Sequence, residues 1–240
     1  MDLIVQARTG SSRLPNKIIY HAKNGLTFLE YFYKRIEKSK LINRIIIATT
    51  SENKDDIICD ICKRNNWLYF RGSENNLLER FYECSKKFKV KNIIRITSDC
   101  PLIDYKFVDE MIEDFLAKKY KFYEVRYSGK HGFPDGFNPQ IFTFEALEEA
   151  FFKSSTSFEK EHVGPYMIKN FLTDEFKIKI DKNKYSNINF DKLHLSLDTN
   201  QHLINLRNII NYFDDYLFSL ENILEYLNNL ELNELKLYYI

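Results

Sequence analysis

Apolar residues in the first half of the chain follow two periods, one typical of buried strands and one typical of amphipathic helices. The predicted strands include two β-branched runs of the kind buried in parallel sheets, and they lie at Leu3–Gln6, Arg44–Thr49, Trp67–Phe70 and Asn92–Thr97. The predicted helices between and after them are Thr27–Lys38, Lys54–Arg64, Leu77–Phe88 and Tyr105–Leu116. This alternation with short links predicts an α/β fold with a doubly wound, mostly parallel sheet.

The pattern becomes less regular after about residue 120. Strands are predicted at Phe122–Tyr127, Phe176–Ile180 and Leu193–Leu197, helices at Phe144–Phe152 and Phe158–Asn170, and two further helices between Gln201 and about Leu230. No internal repeat, low-complexity tract or long linker interrupts the chain. We therefore expect one domain over residues 1–240, with residues 120–190 as an arm inserted in the sheet.

Composition and charge narrow the function classes. The 240 residues include 35 basic and 34 acidic side chains, for a net charge of +1, which gives no global electrostatic case for nucleic acid or an anionic membrane. No apolar run approaches a membrane span or a signal-peptide core, so a cytoplasmic protein is expected. Cys59 and Cys62 form a C-x-x-C pair on one predicted helix face, but no second pair completes a zinc site, and burial is expected for both.

Ligands of an open parallel sheet bind outside the carboxyl ends of its strands. The loop after the first strand, Ala7–Lys17, reads A-R-T-G-S-S-R-L-P-N-K and combines Gly10, Ser11 and Ser12 with three cations, Arg8, Arg13 and Lys17. A glycine allows close backbone approach, loop N–H groups can converge on phosphate oxygens, and guanidinium and ammonium groups neutralise them. The loop lacks both the Walker A and the Rossmann glycine spacing. We interpret it as a triphosphate-binding loop rather than a solvated basic loop.

The same loop resembles the signature of the CMP-sugar synthetase group of cytidylyltransferases, above all the spore-coat-polysaccharide type, with 3-deoxy-manno-octulosonate cytidylyltransferases further off. The resemblance continues through R-G-S-E at Arg71–Glu74, L-L-E-R-F at Leu77–Phe81, R-I-T-S-D-C-P-L-I-D at Arg95–Asp104, F-P-D-G at Phe133–Gly136, E-K-E-H-V-G-P-Y at Glu159–Tyr166 and S-L-D-T at Ser196–Thr199. It implies an α/β fold of the nucleotidyltransferase (nucleotide-diphospho-sugar transferase) type, CTP as donor, Mg²⁺ as cofactor and a homodimer.

Two carboxylates are candidate metal ligands. Asp99 follows a predicted buried strand, and Mg²⁺ is often held by one or two carboxylates together with substrate phosphates. Asp198 follows the later predicted strand, where spacing alone leaves helix capping equally open. The resemblance implies that both bind the metal. Asp104 is expected to cap the next helix instead.

The remaining candidate residues concern the nucleotide and the acceptor. The resemblance places Ala7, Gly10, Ser11, Ser12, Arg71 and Ser73 at the nucleotide, and Asp135, Glu161 and His162 at the acceptor. Arg80, in the helix after Ser73, could pair with neighbouring glutamates or point into the site. The chain departs from the family at Asn138 and Gln140, where acidic residues are usual. This departure weakens a second-metal role there and is consistent with a different acceptor.

These residues predict a cytidylyltransferase that transfers CMP from CTP to a small acidic sugar, phosphate or phosphonate, with release of pyrophosphate, in surface polysaccharide biosynthesis. Arg8, Arg13 and Lys17 would stabilise charge on the phosphates. Three alternatives remain: a nucleotidyltransferase for UTP, ATP or GTP, a nucleotide-sugar-dependent glycosyltransferase, and an inactive nucleotide-binding homologue. The first usually has a glycine-rich start and the second a D-x-D, and this chain has neither at the expected places.

Overall fold

The computed structural model describes residues 1–125, 134–177 and 180–239. The strands are β1 (Asp2–Gln6), β2 (His21–Lys23), β3 (Leu26–Thr27), β4 (Arg44–Thr50), β5 (Leu68–Gly72), β6 (Asn92–Thr97), β7 (Phe122–Glu124), β8 (Gln140–Thr143) and β9 (Leu172–Glu175). The α-helices are α1 (Phe28–Ile36), α2 (Asp56–Arg64), α3 (Leu77–Phe88), α4 (Tyr105–Lys118), α5 (Phe144–Lys153), α6 (Ser157–His162), α7 (Gly164–Phe171), α8 (Asn200–Tyr212), α9 (Leu220–Asn228) and α10 (Leu232–Leu235).

Seven strands form one sheet in the order β5-β4-β1-β6-β8-β7-β9, and β2 pairs with β3 as a small separate ribbon. β1 is parallel to β4 and to β6, β4 is parallel to β5, and β7 is parallel to β9. β8 runs antiparallel to both of its neighbours, β6 and β7. The mostly parallel α/β sheet predicted from the sequence is therefore confirmed.

Alternate residues of the strands point to two hydrophobic layers. Leu3 and Val5 of β1 belong to the layer on the side of α1, α4 and α8, whereas Ile4 belongs to the layer on the side of α3 and α5. All three side chains are fully buried, and each contributes about 1.5–3 kcal/mol by removal from water. Helices on both faces explain why the strand sequences are apolar without alternation.

Strand order fixes where a ligand can enter. The chain runs outward from β1 through β4 to β5 and then returns to the other side of β1 as β6. The crevice at the carboxyl ends of β1 and β6 is thus the topological switch point, where open α/β sheets bind ligands. The loops that follow β1 and β6 are the ones that carry the predicted site residues.

The first half of the chain matches the sequence prediction closely, since α3 and β6 have the predicted bounds. Asp104 caps α4 as predicted, through a hydrogen bond from the Lys106 amide to its carboxylate. Cys59 and Cys62 are buried and free, as expected for apolar residues.

The second half departs from the prediction in three places. The helix predicted over Phe158–Asn170 is two helices, because buried Val163 adopts a φ of 58° and interrupts the turn. The strand predicted over Leu193–Leu197 is wrong, since that segment makes only an isolated bridge between His194 and Asp135. β9, at Leu172–Glu175, was not among the predicted strands, and part of the predicted strand Phe176–Ile180, residues 178–179, lies outside the described residues.

Residues 120–190 contribute β7, β8 and β9 to the main sheet. Parts of two predicted features fall outside the described residues: the end of the strand Phe122–Tyr127, and Phe133 of the F-P-D-G motif. The role of residues 120–190 as an acceptor-binding or dimerisation arm stays a prediction. The sequence analysis missed β8 and the β2–β3 ribbon, which have only two to four residues per strand.

Candidate active site

The loop after β1 is folded back by hydrogen bonds around Thr9. The Thr9 amide and hydroxyl both donate to Asp55 Oδ1, at 2.7 and 2.6 Å, and the Thr9 carbonyl accepts the amides of Ser11 and Asn16, both at 2.9 Å. Asn16 has a φ of 61°, which asparagine tolerates better than most residues, and Lys17 follows it directly. The loop thus has a fixed conformation that turns Lys17 back toward the sheet edge.

Lys17 lies between the two candidate metal ligands. Its Nζ is 2.5 Å from Asp99 Oδ2 and 2.8 Å from Asp198 Oδ1, and Arg13 Nη2 is 3.1 Å from the same oxygen of Asp198. Burial by itself lowers the pKa of Lys17, but the two carboxylates outweigh it and leave that pKa above its ordinary value. Burial by itself raises the pKa of Asp198, but Lys17 and Arg13 outweigh it and leave that pKa below its ordinary value.

The two carboxylates come from distant parts of the chain and are joined by the backbone. Asp99 follows β6, and its carbonyl accepts the Leu197 amide at 2.7 Å, next to Asp198. The adjacent Ser98 amide donates to the Gln6 carbonyl at the end of β1. Thr199, not Asp198, caps α8 through a hydrogen bond from the His202 amide. The capping alternative for Asp198 is therefore excluded.

A cavity of about 330 Å³ opens over this group. Its lining includes these predicted site residues: Ala7, Arg8, Ser11, Ser12, Arg13, Lys17, Asp99, Glu161, His162 and Asp198. Predicted nucleotide-binding and acceptor-binding residues thus share one space. The positive φ of Val163 at the α6–α7 junction follows His162 directly, and such strain is often found at functional sites.

Three predicted nucleotide-binding residues, Gly10, Arg71 and Ser73, are not among the residues that line this cavity. The Arg71 guanidinium donates to the carbonyls of Thr50 and Glu52 and to Asp56, where it joins the end of β4 to the start of α2. Its contact with a nucleotide stays a prediction. Gly10 lies against Lys54 and Glu74, which form an ion pair beside the loop.

A second cavity of about 360 Å³ shares Arg95, Thr97, Asp99 and Asp198 with the first. The predicted acceptor residue Asp135 lines this second cavity. Ser196 Oγ contacts Asp135 Oδ2 at 2.6 Å and Asp198 Oδ2 at 3.2 Å. The Ser196 hydroxyl therefore links Asp135 to Asp198, which lines both cavities.

Asn138 and Gln140, the two residues that depart from the family pattern, line the second cavity. Gln140 accepts a hydrogen bond from Arg95 Nη1 at 2.6 Å and donates one to Glu124 at 2.7 Å. Asn138 donates to Asp135 at 3.0 Å. Each side-chain amide therefore donates a hydrogen bond to a carboxylate. An acidic residue at either position would instead repel that carboxylate.

Sequence analysis left three site residues unassigned. Asp55 anchors Thr9, Arg95 donates to Gln6 and Gln140, and Arg80 lines the first cavity. The sequence did contain an indication for Arg95. A cation inside the apolar run of β6 needs a polar partner, which points to a polar site beside that strand. Asp55 gave no such signal, since its partner Thr9 is 46 residues away.

A larger cavity, about 740 Å³, lies elsewhere, between α4, β9 and the start of α9. Its lining contains both acidic and basic side chains, and it includes none of the predicted site residues. Arg8, Arg13 and Lys17 converge instead on the cavity of about 330 Å³ at the switch point. We take that cavity as the candidate site. Within the described ranges, no cluster of three or more His, Cys, Asp or Glu could hold a metal ion, and no helix there has the length and apolarity to cross a membrane.

The mostly parallel sheet, with a basic loop and two carboxylates at its switch point, has an α/β fold of the nucleotidyltransferase type. CMP:2-keto-3-deoxy-manno-octonic acid synthetase complexed with CTP has this fold, with a TM-score of 0.64 at 12% identity over 88% of this chain and 98% of that one. The profile of the cytidylyltransferase family matches residues 3–240, and the chain belongs to that family.

Individual relatives agree with this assignment. The chain is 34% identical to the uncharacterized protein MJ1063 of Methanocaldococcus jannaschii, over 88% of this chain and 89% of that protein. It is also 34% identical to the spore coat polysaccharide biosynthesis protein SpsF of Bacillus subtilis, over 46% of this chain and 47% of that one. A cytidylyltransferase structure from Leptospira borgpetersenii is 31% identical, with a TM-score of 0.86 over 99% of this chain and 96% of that one. The resemblance to this family stated from the sequence is therefore confirmed.

Proposed function

We propose that this protein transfers CMP from CTP to a small acidic sugar or to a phosphorylated or phosphonate acceptor, in surface polysaccharide biosynthesis. The observation that carries the proposal is Lys17, held between Asp99 and Asp198 at the switch point of the sheet. Membership of the cytidylyltransferase family supports CTP as the donor. The name of the relative SpsF supports the polysaccharide setting.

The reaction needs charge neutralisation more than covalent protein chemistry. An acceptor oxygen attacks the α-phosphorus of CTP, the bond from that phosphorus to the bridging oxygen breaks, and pyrophosphate leaves with the bond electrons. Arg8, Arg13 and Lys17 line the cavity and would neutralise the triphosphate and the leaving pyrophosphate. Lys17 stays protonated at neutral pH because its pKa is raised, so it acts as a fixed positive charge.

Asp99 and Asp198 fit a magnesium ion as two hard oxygen ligands from neighbouring positions. They would hold it together with oxygens of the substrate, since the described residues supply no third carboxylate or imidazole to the group. The ion, when bound, supplies charge neutralisation on the phosphates and lowers the pKa of a bound acceptor hydroxyl. Lys17 donates to one oxygen of each carboxylate and would remain a second positive charge beside the ion.

The acceptor would enter from the side of the second cavity. Asp99 and Asp198 line both cavities and so mark the boundary at which donor and acceptor would meet. Asp135 would accept a hydrogen bond from an acceptor hydroxyl, and its bond to Ser196 would keep it in place. Glu161 and His162 would contact the acceptor from the side of α6.

The direct test is pyrophosphate release from CTP and Mg²⁺ with a panel of acceptors: nonulosonic and octulosonic acids, polyol phosphates, amino-alcohol phosphates and phosphonates. We expect release that depends on one acceptor class, fails with ATP, GTP and UTP, and is lost in Asp99→Asn. If no acceptor supports release, calorimetry with CTP separates two outcomes. Binding would leave an unidentified acceptor or an inactive enzyme, whereas no binding would refute the nucleotide assignment.

A further inference from the structure

Arg80 is a buried arginine that opens into the candidate site. It lies on α3, its side chain is only 3% exposed, and it lines the cavity that also contains Arg8 and Lys17. Its Nε and Nη1 atoms are buried and have no hydrogen-bond partner within the described parts of the chain. A buried donor left without a partner costs free energy, and a charged one costs more.

Two other arginines, buried Arg35 and half-buried Arg95, show how this chain holds a guanidinium group away from water. Arg35 donates to the carbonyls of four residues, which are Leu102, Ile103, Tyr216 and Phe218. Arg95 donates three hydrogen bonds, to Gln6 and Gln140. Both guanidinium groups are therefore fixed within the protein. Arg80 differs from both because two of its three guanidinium nitrogens have no hydrogen-bond partner within the described residues.

The electrostatic environment of Arg80 is also unfavourable for a cation. Burial and the nearby charge of Arg8 lower the pKa of Arg80 to about 10, and the opposing effects of Asp55 and Glu74 are smaller. Two guanidinium groups thus repel each other beside one cavity. An anion bound beside both groups would relieve this repulsion and give a partner to the Arg80 guanidinium, which lines the cavity.

The neighbouring strand leaves room for the Arg80 side chain. A Cβ atom at Gly72 of β5 would lie 3.0 Å from Arg80 Cγ and 2.9 Å from the Phe70 ring. Such contacts are too close for a side chain, so glycine at this position lets the stem of Arg80 pass. The placement of Arg80 is therefore built by two elements, α3 and the end of β5.

We propose that Arg80 binds a phosphate group of the nucleotide and forms, with Arg8, an anion subsite on the α3 side of the cavity. This inference rests on the proposed function and adds a phosphate ligand to those in the β1 loop. A phosphate is favoured over a neutral base carbonyl because the subsite holds two positive charges, and only an anion neutralises them. Arg80 is here a binding residue rather than a structural one.

The test compares Arg80→Met, Arg80→Lys and the control Arg64→Met, an exposed arginine on another surface. Calorimetry measures the binding of CTP, inorganic pyrophosphate and cytidine to each protein. We expect Arg80→Met to weaken CTP and pyrophosphate by at least about tenfold, since a charge-assisted hydrogen bond is lost, and to leave cytidine unchanged. Arg80→Lys should recover part of the affinity, and Arg64→Met should bind like the unchanged protein.

Thermal unfolding without ligand supplies a second readout. Loss of an unpaired buried charge should leave the melting temperature of Arg80→Met equal or higher, whereas loss of a structural arginine would lower it. A lower melting temperature, or failure to fold, would overturn the proposal. Unchanged CTP and pyrophosphate affinity in Arg80→Met would also overturn it and leave the proposed function intact.

The two proposals can fail separately. If the unchanged protein binds pyrophosphate but not CTP, and Arg80→Met loses the pyrophosphate, the anion subsite stands and the cytidylyltransferase assignment fails. If the unchanged protein binds neither CTP nor pyrophosphate, the subsite is refuted together with the nucleotide assignment.

Discussion

Single residues in this site act through charge placement. Lys17 is positive and nearly buried, and it contacts two carboxylates that would otherwise repel each other. Asp55 is fully buried and accepts hydrogen bonds from Thr9 and Thr50. The sequence indicated Lys17, because it lies in a basic loop after a strand. It could not indicate Asp55, because its role depends on a contact made only in the folded chain.

Replacement of Lys17 by Met tests the catalytic role of its charge. We expect kcat/KM for CTP to fall by about 10²–10³-fold, since one preorganised charge on the phosphates is removed. Lys63→Met is the matched control, because Lys63 is an exposed lysine paired only along its own helix. Steady-state kinetics of both variants measure the effect, and equal rates in the two would contradict it.

The pH dependence of stability tests the ion pairs of Asp198. Its pKa in the folded protein lies below the ordinary value of 3.8, so its contribution is present above that value and lost as the pH falls through the folded pKa. Asp198→Asn should therefore be less stable than the unchanged protein at pH 7, and the difference should shrink as the pH falls below 3.8. Urea unfolding of both proteins between pH 7 and a pH below 3.8 measures this difference in the free energy of unfolding. A difference that is constant with pH would show that the ion pairs do not contribute.

At the scale of elements, the site depends on irregular segments joined to regular ones. The segment that ends in Asp198 is not a strand, and it is held by hydrogen bonds with Asp135 and Asp99. Gly136 lies where these segments cross, with a φ of 97°. A Cβ atom there would lie 2.6 Å from the Leu195 carbonyl carbon, so only glycine fits.

Gly136→Ala should lower the free energy of unfolding by more than about 1 kcal/mol, because it meets both backbone strain and a steric clash. Gly25→Ala is the matched control: Gly25 also has a positive φ, of 77°, but a Cβ atom there would meet nothing within 4 Å. Denaturant unfolding of both variants separates the two effects. An equal loss of unfolding free energy in the two variants would show that the positive φ alone, and not the steric clash, causes the destabilisation.

The elements that could be predicted are those with long, regular apolar patterns. α3 and β6 were predictable to the residue because periodicity and the buried environment agree there. The break at Val163 was not predictable, because a β-branched residue rarely adopts a positive φ and does so here inside a helical pattern. The segment Leu193–Leu197 is apolar because it is buried, not because it pairs as a strand.

At the scale of the whole molecule, the sheet places the two cavities that we propose for donor and acceptor side by side, and the two share Asp99 and Asp198. Residues from the β1 loop, β6, α6 and the segment before α8 meet there, so the site exists only in the folded protein. A ligand that binds this site therefore stabilises the whole fold by mass action.

CTP with Mg²⁺ should raise the melting temperature by several degrees. At a CTP concentration of about 100 times Kd the gain is about 2.7 kcal/mol. For a chain of this size that gain corresponds to a shift of roughly 5–11 °C. Thermal scans with CTP, UTP and ATP at equal concentration measure the effect and its selectivity. An equal shift with all three nucleotides would contradict cytosine selectivity.

The antiparallel strand β8 has a consequence for how this architecture diversifies. Glu124 at the end of β7 pairs with Gln140 at the start of β8, so these two strand ends lie side by side in the sheet. A segment anchored in this way can change length at low entropic cost, about 0.6 kcal/mol per doubling. Exchange of the residues between these two strand ends for those of a relative should therefore leave the pairing of β7 with β8 intact.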